Sequence, residues 1–164
     1  MENKTLEKLF VKHLKCMYSS EKQLSETLPR IAESVAHKDL KSVIKDHYEQ
    51  TKVHLDRVHK ILQQYNLNKA SGEYCDIMEQ LLDEAEDLLE EYGSSEVLDS
   101  ELIALCRKIG HYEIASYNTL VSYARLLNYE EASELLQLTL DEEYETDNKF
   151  NKLNEEVMDV YIRG

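Results

Sequence analysis

The sequence predicts an almost purely α-helical protein, and three observations support this fold class. Only four glycines and one proline occur among 164 residues, too few for the turns of a many-stranded protein. Charged residues make up 32% of the chain, as is typical of long amphipathic helices. Apolar residues recur at helical spacing over long stretches. The length suits a single domain, residues 1–164, with one hydrophobic core.

Five helices are expected from this spacing and from the polar stretches between them. The third helix is short and acidic, and it follows a loop at about residues 66–74. Ser94 or Ser95 caps the fourth helix, while Asn128 and Glu131 have the spacing of a capping box at the start of the fifth. The predicted helices cover about residues 5–34, 40–65, 76–91, 95–127 and 128–161.

The order of long and short helices predicts how the helices are arranged. Two pairs of long helices are joined by a connection that includes the short helix and is long enough to cross the bundle. This order is typical of an up-down-down-up arrangement rather than of a simple meander. We therefore expect an all-α, ferritin-like four-helix bundle with a short extra helix in the crossover between the two helical hairpins.

The chain is strongly acidic, which limits the partners that it binds. Its formal net charge is −14, and no Lys or Arg occurs between Lys69 and Arg107. Such a surface repels phosphate backbones and anionic lipids, so we expect neither nucleic-acid binding nor membrane binding. No apolar run approaches the ~20 residues of a membrane span, and the first residues do not resemble a signal peptide. We expect a soluble, cytoplasmic protein.

The three cysteines, Cys16, Cys75 and Cys106, form no Cys-x-x-Cys pair. An odd number without such a pair argues against a disulfide framework and against a thiolate zinc site, and it fits a reducing compartment. We interpret all three as small apolar packing residues.

Polar residues interrupt the apolar seam of each long helix near its middle. A helix turns by ~100° per residue, which places these side chains on the side that faces the other helices. They are Glu21 in the first helix, His47 and His54 in the second, Glu113 in the fourth, and Glu143 and Asp147 in the fifth.

Carboxylates that meet inside a bundle repel one another and lose their hydration, so they need a compensating cation or raised pKa values. A pair of iron or manganese ions is the simplest compensation, because these metals accept carboxylate and imidazole ligands. The alternative for each acid is the edge of the seam, with its head group in water. For His47 and His54 it is a core histidine bonded to a neighbouring helix. Glu49 lies nearly opposite their seam, and we expect it to be exposed.

Four motifs occur in order along the chain: "YSSEKQL" at 18–24, "HYEQT" at 47–51, "HYEIASY" at 111–117 and "TLDEEYETD" at 139–147. Together they resemble the YciF/YciE family of bacterial stress proteins, over nearly the whole length. The resemblance implies a ferritin-like bundle related to the rubrerythrin-type di-iron proteins. It also implies a homodimer through the short helix 76–91, with the apolar stripe of that helix buried against the second subunit. The metal carboxylates that it implies are Glu21, Glu113 and Glu143, with Asp147 in the same motif.

Two positions depart from the expected pattern. The family generally shows Glu-His-Tyr-Glu in the fourth helix, whereas this chain has Gly110 in the first of these places. Thr51 occupies the position three before His54, where standard di-iron bundles have Glu. The centre is then weakened, holds one ion, or is lost.

Three functions are compatible with these observations. The first is a ferritin-like stress-response protein with a di-iron or manganese site that reacts with peroxide or O₂. The second is a non-enzymatic homodimeric scaffold or binding protein with a degenerate metal site. The third is a module that recognises a partner through the acidic helix. The sequence leaves open whether the protein is an enzyme.

Overall fold

The computed structural model describes residues 2–67 and 74–163, and within these ranges all regular structure is α-helical. The five predicted helices are confirmed, with ends that differ by a few residues. The predicted loop 66–74 lies mostly outside the described residues. The helices are α1 Glu2–Ser34, α2 Lys38–Gln64, α3 Asp76–Tyr92, α4 Glu96–Leu126 and α5 Glu130–Arg163.

The helix ends confirm one predicted cap and correct another. Ser95 caps α4, since its hydroxyl accepts a hydrogen bond from the Leu98 amide at 3.1 Å. Asn128 does not cap α5. Its φ is 57°, and the amide of Tyr129 donates to the Ala124 carbonyl at 2.9 Å, as in a Schellman motif that ends α4. Asn is one of the few residues that tolerate this left-handed conformation, so the predicted capping box is wrong.

The four long helices pack side by side, each antiparallel to its two neighbours. α1 packs on α2, α2 on α5, α5 on α4 and α4 on α1. Contacts between neighbours run in opposite order along the chain: Glu33 pairs with Lys41, whereas Tyr18 contacts His59. The other three neighbouring pairs show the same reversal. In chain order the long helices therefore run up, down, down and up, as predicted.

The short helix α3 packs across α1 and α4 of its own chain. Met78, Leu82 and Ala85 are buried, and Leu81 and Leu88 are half-buried against the same core. One side of the apolar stripe of α3 is thus buried within its own chain. Burial of the rest of the stripe against a second subunit stays a prediction.

A polar layer divides the hydrophobic core into two clusters. The α3-side cluster includes Leu24, Leu28, Ile44, Leu102 and Phe150. The far cluster, at the other end of the long helices, includes Phe10, Leu14, Val58, Leu120 and Leu136. Every long helix contributes to both clusters, so each helix crosses the polar layer between them.

Asp99 of α4 secures the turn between α1 and α2. Its side chain is buried and accepts hydrogen bonds from the amides of Ala36 and His37, at 3.0 and 2.8 Å.

No helix in the described ranges combines the length and the apolar character that crossing a membrane requires.

Candidate metal centre

Each of the four long helices places one buried ligand-type residue in the polar layer. These residues are Glu21, His54, Glu113 and Glu143, which we call the core layer. One ligand atom from each lies within 4.8 Å of those of the other three. All four side chains are at most 1% exposed to solvent. The structure therefore brings together four of the six residues that the sequence predicts.

The core layer holds polar atoms that no protein group satisfies. Among the described residues, both carboxylate oxygens of Glu113 and of Glu143 lack a hydrogen-bond partner, as do Oε2 of Glu21 and Nδ1 of His54. Both ring nitrogens of His47 are also without one. A buried polar atom without a partner costs ~1 to 3 kcal/mol. A cation bound among these atoms removes that cost, so the residues present fit a metal ion.

The pKa values of the carboxyl groups reflect the crowding of negative charge in the core layer. Burial raises the pKa of Glu113 well above its usual range, and the negative charges of Glu143 and Glu21 raise it further. Burial also acts to raise the pKa of Glu143, but the nearby imidazoles of His54 and His47 outweigh that effect and lower it. Without a cation, burial and these charges favour the protonated form of Glu113.

A hydrogen bond outside the layer orients the His54 ring. Nε2 of His54 lies 2.8 Å from Oε2 of Glu142, while Nδ1 lies 3.2 Å from Oε1 of Glu143 and 3.7 Å from Oε1 of Glu21. Nδ1 is therefore the nitrogen that faces the core layer. Burial acts to lower the pKa of His54, but its hydrogen bond to Glu142 and the nearby carboxylates of Glu143 and Glu21 raise it well above its usual value.

Glu142 is a functional residue that the sequence analysis missed. Its carboxylate accepts hydrogen bonds from Arg57, at 2.6 and 3.0 Å, as well as contacting His54. The bond with His54 and the charge of Arg57 lower its pKa to about 2. Arg57 lies three residues after His54, on the same side of α2. This cation beside the histidine is the signal in the sequence for an acid on the facing helix.

Tyr117, which the sequence places among the tyrosines that flank the acids, also contacts the core layer, although the sequence analysis did not assign it to the site. Its hydroxyl donates to Oε1 of Glu21 at 2.5 Å, and the side chain is fully buried. Burial and the nearby charge of Glu21 raise the pKa of Tyr117 well above its usual value, so the phenol stays protonated and remains a donor. It lies four residues after Glu113, on the same face of α4, which is the signal for it in the sequence.

His47 lies beside the core layer rather than within it. It is buried, and its Nε2 lies 3.9 Å from Oε1 of Glu143. Burial lowers the pKa of His47, which favours the neutral imidazole that metal ions bind.

Asp147 lies outside the layer, in an ion pair with α4. Its Oδ1 accepts a hydrogen bond from Nε of Arg107 at 2.9 Å, and its Oδ2 lies 3.3 Å from Nε2 of His111. Both carboxylate oxygens therefore have protein partners, unlike those of Glu113 and Glu143. Glu49 is exposed, as expected, and pairs with Lys52.

Three positions near the layer offer fewer ligands than a standard dimetal bundle, which has Glu-x-x-His on two helices. On α2 the hydroxyl of Thr51 precedes His54 and donates to the His47 carbonyl at 2.8 Å. On α5, Thr146 follows Glu143 by three residues and donates to Gln50 at 2.9 Å. On α4, a Cβ built at Gly110 meets no atom within 4 Å. Both hydroxyls are committed elsewhere, and Gly110 leaves open space.

Comparison with known families now identifies the chain. Residues 5–163 match the model of DUF892, a domain of unknown function. The chain belongs to the DUF892 family. The match covers all five helices, including the four that carry the core layer.

The DUF892 chain is similar to YciF over almost its whole length, which confirms the resemblance seen in the motifs. It is 37% identical to YciF of Escherichia coli K12 over 153 residues, covering 93% of this chain and 92% of YciF. The crystal structure of the E. coli stress protein YciF superposes with a TM-score of 0.89 at 35% identity, covering 94% of this chain and 97% of that one. YcfI from Rhodopseudomonas palustris gives a TM-score of 0.84 at 29% identity, covering 89% and 92%.

Proposed function

We propose that this DUF892 protein is a ferritin-like metal protein whose core layer binds iron or manganese as a dimetal centre. The observation that carries the proposal is the set of buried, unpartnered carboxylate and imidazole atoms from four helices. The similarity to the E. coli stress protein YciF supports a role in stress response. Peroxide or O₂ is the reactant that we propose for such a centre. The ferritin-like class is supported by the up-down-down-up order and by the short helix between the two hairpins.

Glu21, His54, Glu113 and Glu143 would hold the metal, and His47 beside Glu143 would add a ligand for a second ion. A bound iron or manganese centre supplies the electrons that reduce peroxide or O₂. The protein's own residues prepare the site. Glu142 directs Nδ1 of His54 inward, and the two apolar clusters keep bulk water away.

Metal content tests the proposal directly. The purified full chain is incubated with Fe(II) under anaerobic conditions, or with Mn(II), then desalted and analysed for bound metal. We expect wild-type protein to retain metal and Glu113→Ala to lose it. Glu49→Ala is the matched control, because Glu49 is an exposed acid and should not affect binding. Wild-type protein that retains less than a few tenths of an ion per chain would refute metal binding. Equal retention of metal by wild type and Glu113→Ala would refute binding at the core layer.

The second candidate is a scaffold with a degenerate metal site, favoured by Thr51, Thr146 and Gly110. The thermal stability of Glu113→Gln distinguishes it from the first. In metal-free protein, burial and the charges of Glu143 and Glu21 raise the pKa of Glu113, so folding at neutral pH must supply it with a proton. Gln removes that cost, and we expect stability to rise by roughly 1 kcal/mol. With metal supplied, a ligand is lost and the variant becomes less stable than wild type. If the variant is the more stable one under both conditions, the scaffold is the correct function.

We also propose, from the family resemblance, that two chains form a homodimer with α3 at the interface. Ile77 is 56% exposed on α3 and extends the half-buried Leu81 and Leu88 towards solvent. Light scattering after size exclusion should give the mass of two chains for wild type and of one chain for Ile77→Glu. A wild-type mass of one chain would exclude the dimer and leave α3 free for another partner.

A further inference from the structure

Two cysteines from distant parts of the chain meet at one tyrosine hydroxyl, away from the core layer. Sγ of Cys75 lies 2.9 Å from the hydroxyl oxygen of Tyr112, and Sγ of Cys16 lies 3.5 Å from the same atom. Both sulfurs therefore contact the same oxygen atom, which brings the two thiols close together. Both cysteines are free thiols in this structure.

The backbone of Cys75 is held in place against α1. Its amide donates to the Ser19 hydroxyl at 3.0 Å, and its carbonyl accepts a hydrogen bond from Gln23 at 3.2 Å. Ser19 lies one turn of α1 beyond Cys16, so these bonds fix the segment before α3 within reach of the Cys16 side chain. The two sulfurs are thus kept adjacent by main-chain contacts that do not involve the thiols.

A cavity gives small molecules access to the pair. Its volume is about 380 Å³, and the residues that line it include Lys12, His13, Cys16, Tyr74, Cys75 and Tyr112. Cys16 is half-buried, and Cys75 and Cys106 are both buried, at 1% and 2% exposed. Cys16 and Cys75 line this cavity, whereas Cys106 does not. Contact with the cavity therefore distinguishes the pair from the third cysteine.

The surroundings give the two thiols different roles. The nearby Cys16 thiol lowers the pKa of Cys75 most, and the groups of Ser20, Tyr112 and the Met78 amide lower it further and outweigh burial. Cys75 is also the residue at the N-cap of α3, where the helix dipole favours a thiolate. The bond with Cys75 and burial raise the pKa of Cys16. These differences favour Cys75 as the thiolate that attacks an oxidant and Cys16 as the thiol that then reacts with the oxidised Cys75.

We propose that Cys16 and Cys75 form a peroxide-reactive dithiol that closes to a disulfide. The Cys75 thiolate attacks one oxygen of a hydroperoxide, so that an S–O bond forms and the O–O bond breaks. The leaving oxygen takes up a proton and departs as an alcohol or as water. Sulfur of Cys16 then attacks the Cys75 sulfenic acid, forming the S–S bond and releasing water. Two thiols and one hydroperoxide yield one disulfide, one alcohol and one water molecule.

The dithiol is independent of the proposed metal centre, because no core-layer residue contributes to it. Its test therefore uses metal-free full-length protein. Hydrogen peroxide is added, remaining thiols are alkylated under denaturing conditions, and intact mass and non-reduced digests are measured. We expect the loss of two thiols and two hydrogen atoms, a cross-linked pair of peptides containing Cys16 and Cys75, and alkylated Cys106. Dithiothreitol should restore all three thiols.

Single variants assign the steps and provide the matched control. Cys75→Ser should abolish the reaction at Cys16, while Cys16→Ser should leave a sulfenic acid at Cys75 that dimedone labels. Cys106→Ser should react as wild type does, because burial raises the pKa of Cys106 to about 12 and removes it from solvent. Glu113→Ala should also form the disulfide, so failure of the metal proposal does not affect this result. If all three thiols persist, or if Cys106 is lost as fast as Cys75, the proposal is wrong.

Discussion

Gly110, three residues before Glu113 on α4, leaves open space where a side chain would project. It lies in the interior of α4, where glycine costs about 1 kcal/mol relative to alanine. A Cβ at this position meets no atom within 4 Å. We expect Gly110→Ala to raise the free energy of unfolding by about 1 kcal/mol, measured by urea denaturation of the metal-free protein.

Gly93 is the matched control for this substitution. A Cβ there also has open space, but φ is 58°, a conformation that alanine rarely adopts. Gly93→Ala should therefore lower the free energy of unfolding by about 1 kcal/mol. If both variants shift stability in the same direction, backbone conformation does not govern these two positions.

We expect Glu142 to affect the proposed metal centre through its hydrogen bond with His54. Its carboxylate accepts the hydrogen bond from Nε2 and so presents Nδ1 to the core layer. Glu142→Gln weakens that bond, and we expect metal affinity to fall by about 10-fold to 100-fold in competition with a chelator. Asp141→Asn is the control, because Asp141 is exposed and accepts a bond from Gln137 of the same helix. Equal affinities for the two variants would refute the role of Glu142.

Contacts between elements decide which acids share the centre. Glu143 and Asp147 are four residues apart on α5, a rotation of about 40° beyond one full turn. That rotation places Asp147 towards α4, where Arg107 binds it, instead of in the layer. In the opposite direction, Glu142 lies beside α2, where Arg57 and His54 bind it. The direction of each acid around the axis of α5 thus decides whether it joins the core layer or pairs with an arginine of a neighbouring helix.

Asp99 joins three helices, because an acid of α4 satisfies two amides in the turn between α1 and α2. Removing its carboxylate leaves two amides without acceptors in a partly buried turn. We expect Asp99→Ala to lower the free energy of unfolding by about 2 to 3 kcal/mol in denaturant titrations. Asp99→Asn, which keeps one acceptor oxygen, should lose less. Glu101→Ala, at an exposed position of α4, is the control. An Asp99→Ala loss no larger than that of the control would contradict this role.

Over the whole molecule, net repulsion competes with individual ion pairs. The formal net charge is −14, although ion pairs such as Lys60–Glu131 link the helices. Raising the salt concentration from about 0.01 to 0.15 M shortens the screening length from about 30 to 8 Å, which weakens long-range repulsion more than short-range attraction. We expect thermal stability to increase over this range, measured by circular dichroism. Glu90→Lys on α3 should reduce the increase, and a decrease in wild type would show that ion pairs dominate.

The helices and the candidate ligands were largely predictable from the sequence. Helical periodicity determines which side of its own helix each residue occupies, so Glu21, His54, Glu113 and Glu143 could be assigned to inward seams. The same reasoning could not exclude Asp147 or include Glu142, because both depend on how α5 is rotated against α2 and α4. It also interpreted Asn128 as the start of one helix when it ends another.

The sequence by itself determined the helical class, the order of the long helices and a set of acids facing inward, because these depend on local periodicity and connection length. The tertiary structure alone decided which side chains meet. It placed four ligand-type residues within one small volume, packed α3 against α1 and α4, and brought Cys16 close to Cys75. The physical reason is that contacts across helices depend on rotations and offsets of a fraction of a turn, which apolar spacing along one helix does not specify.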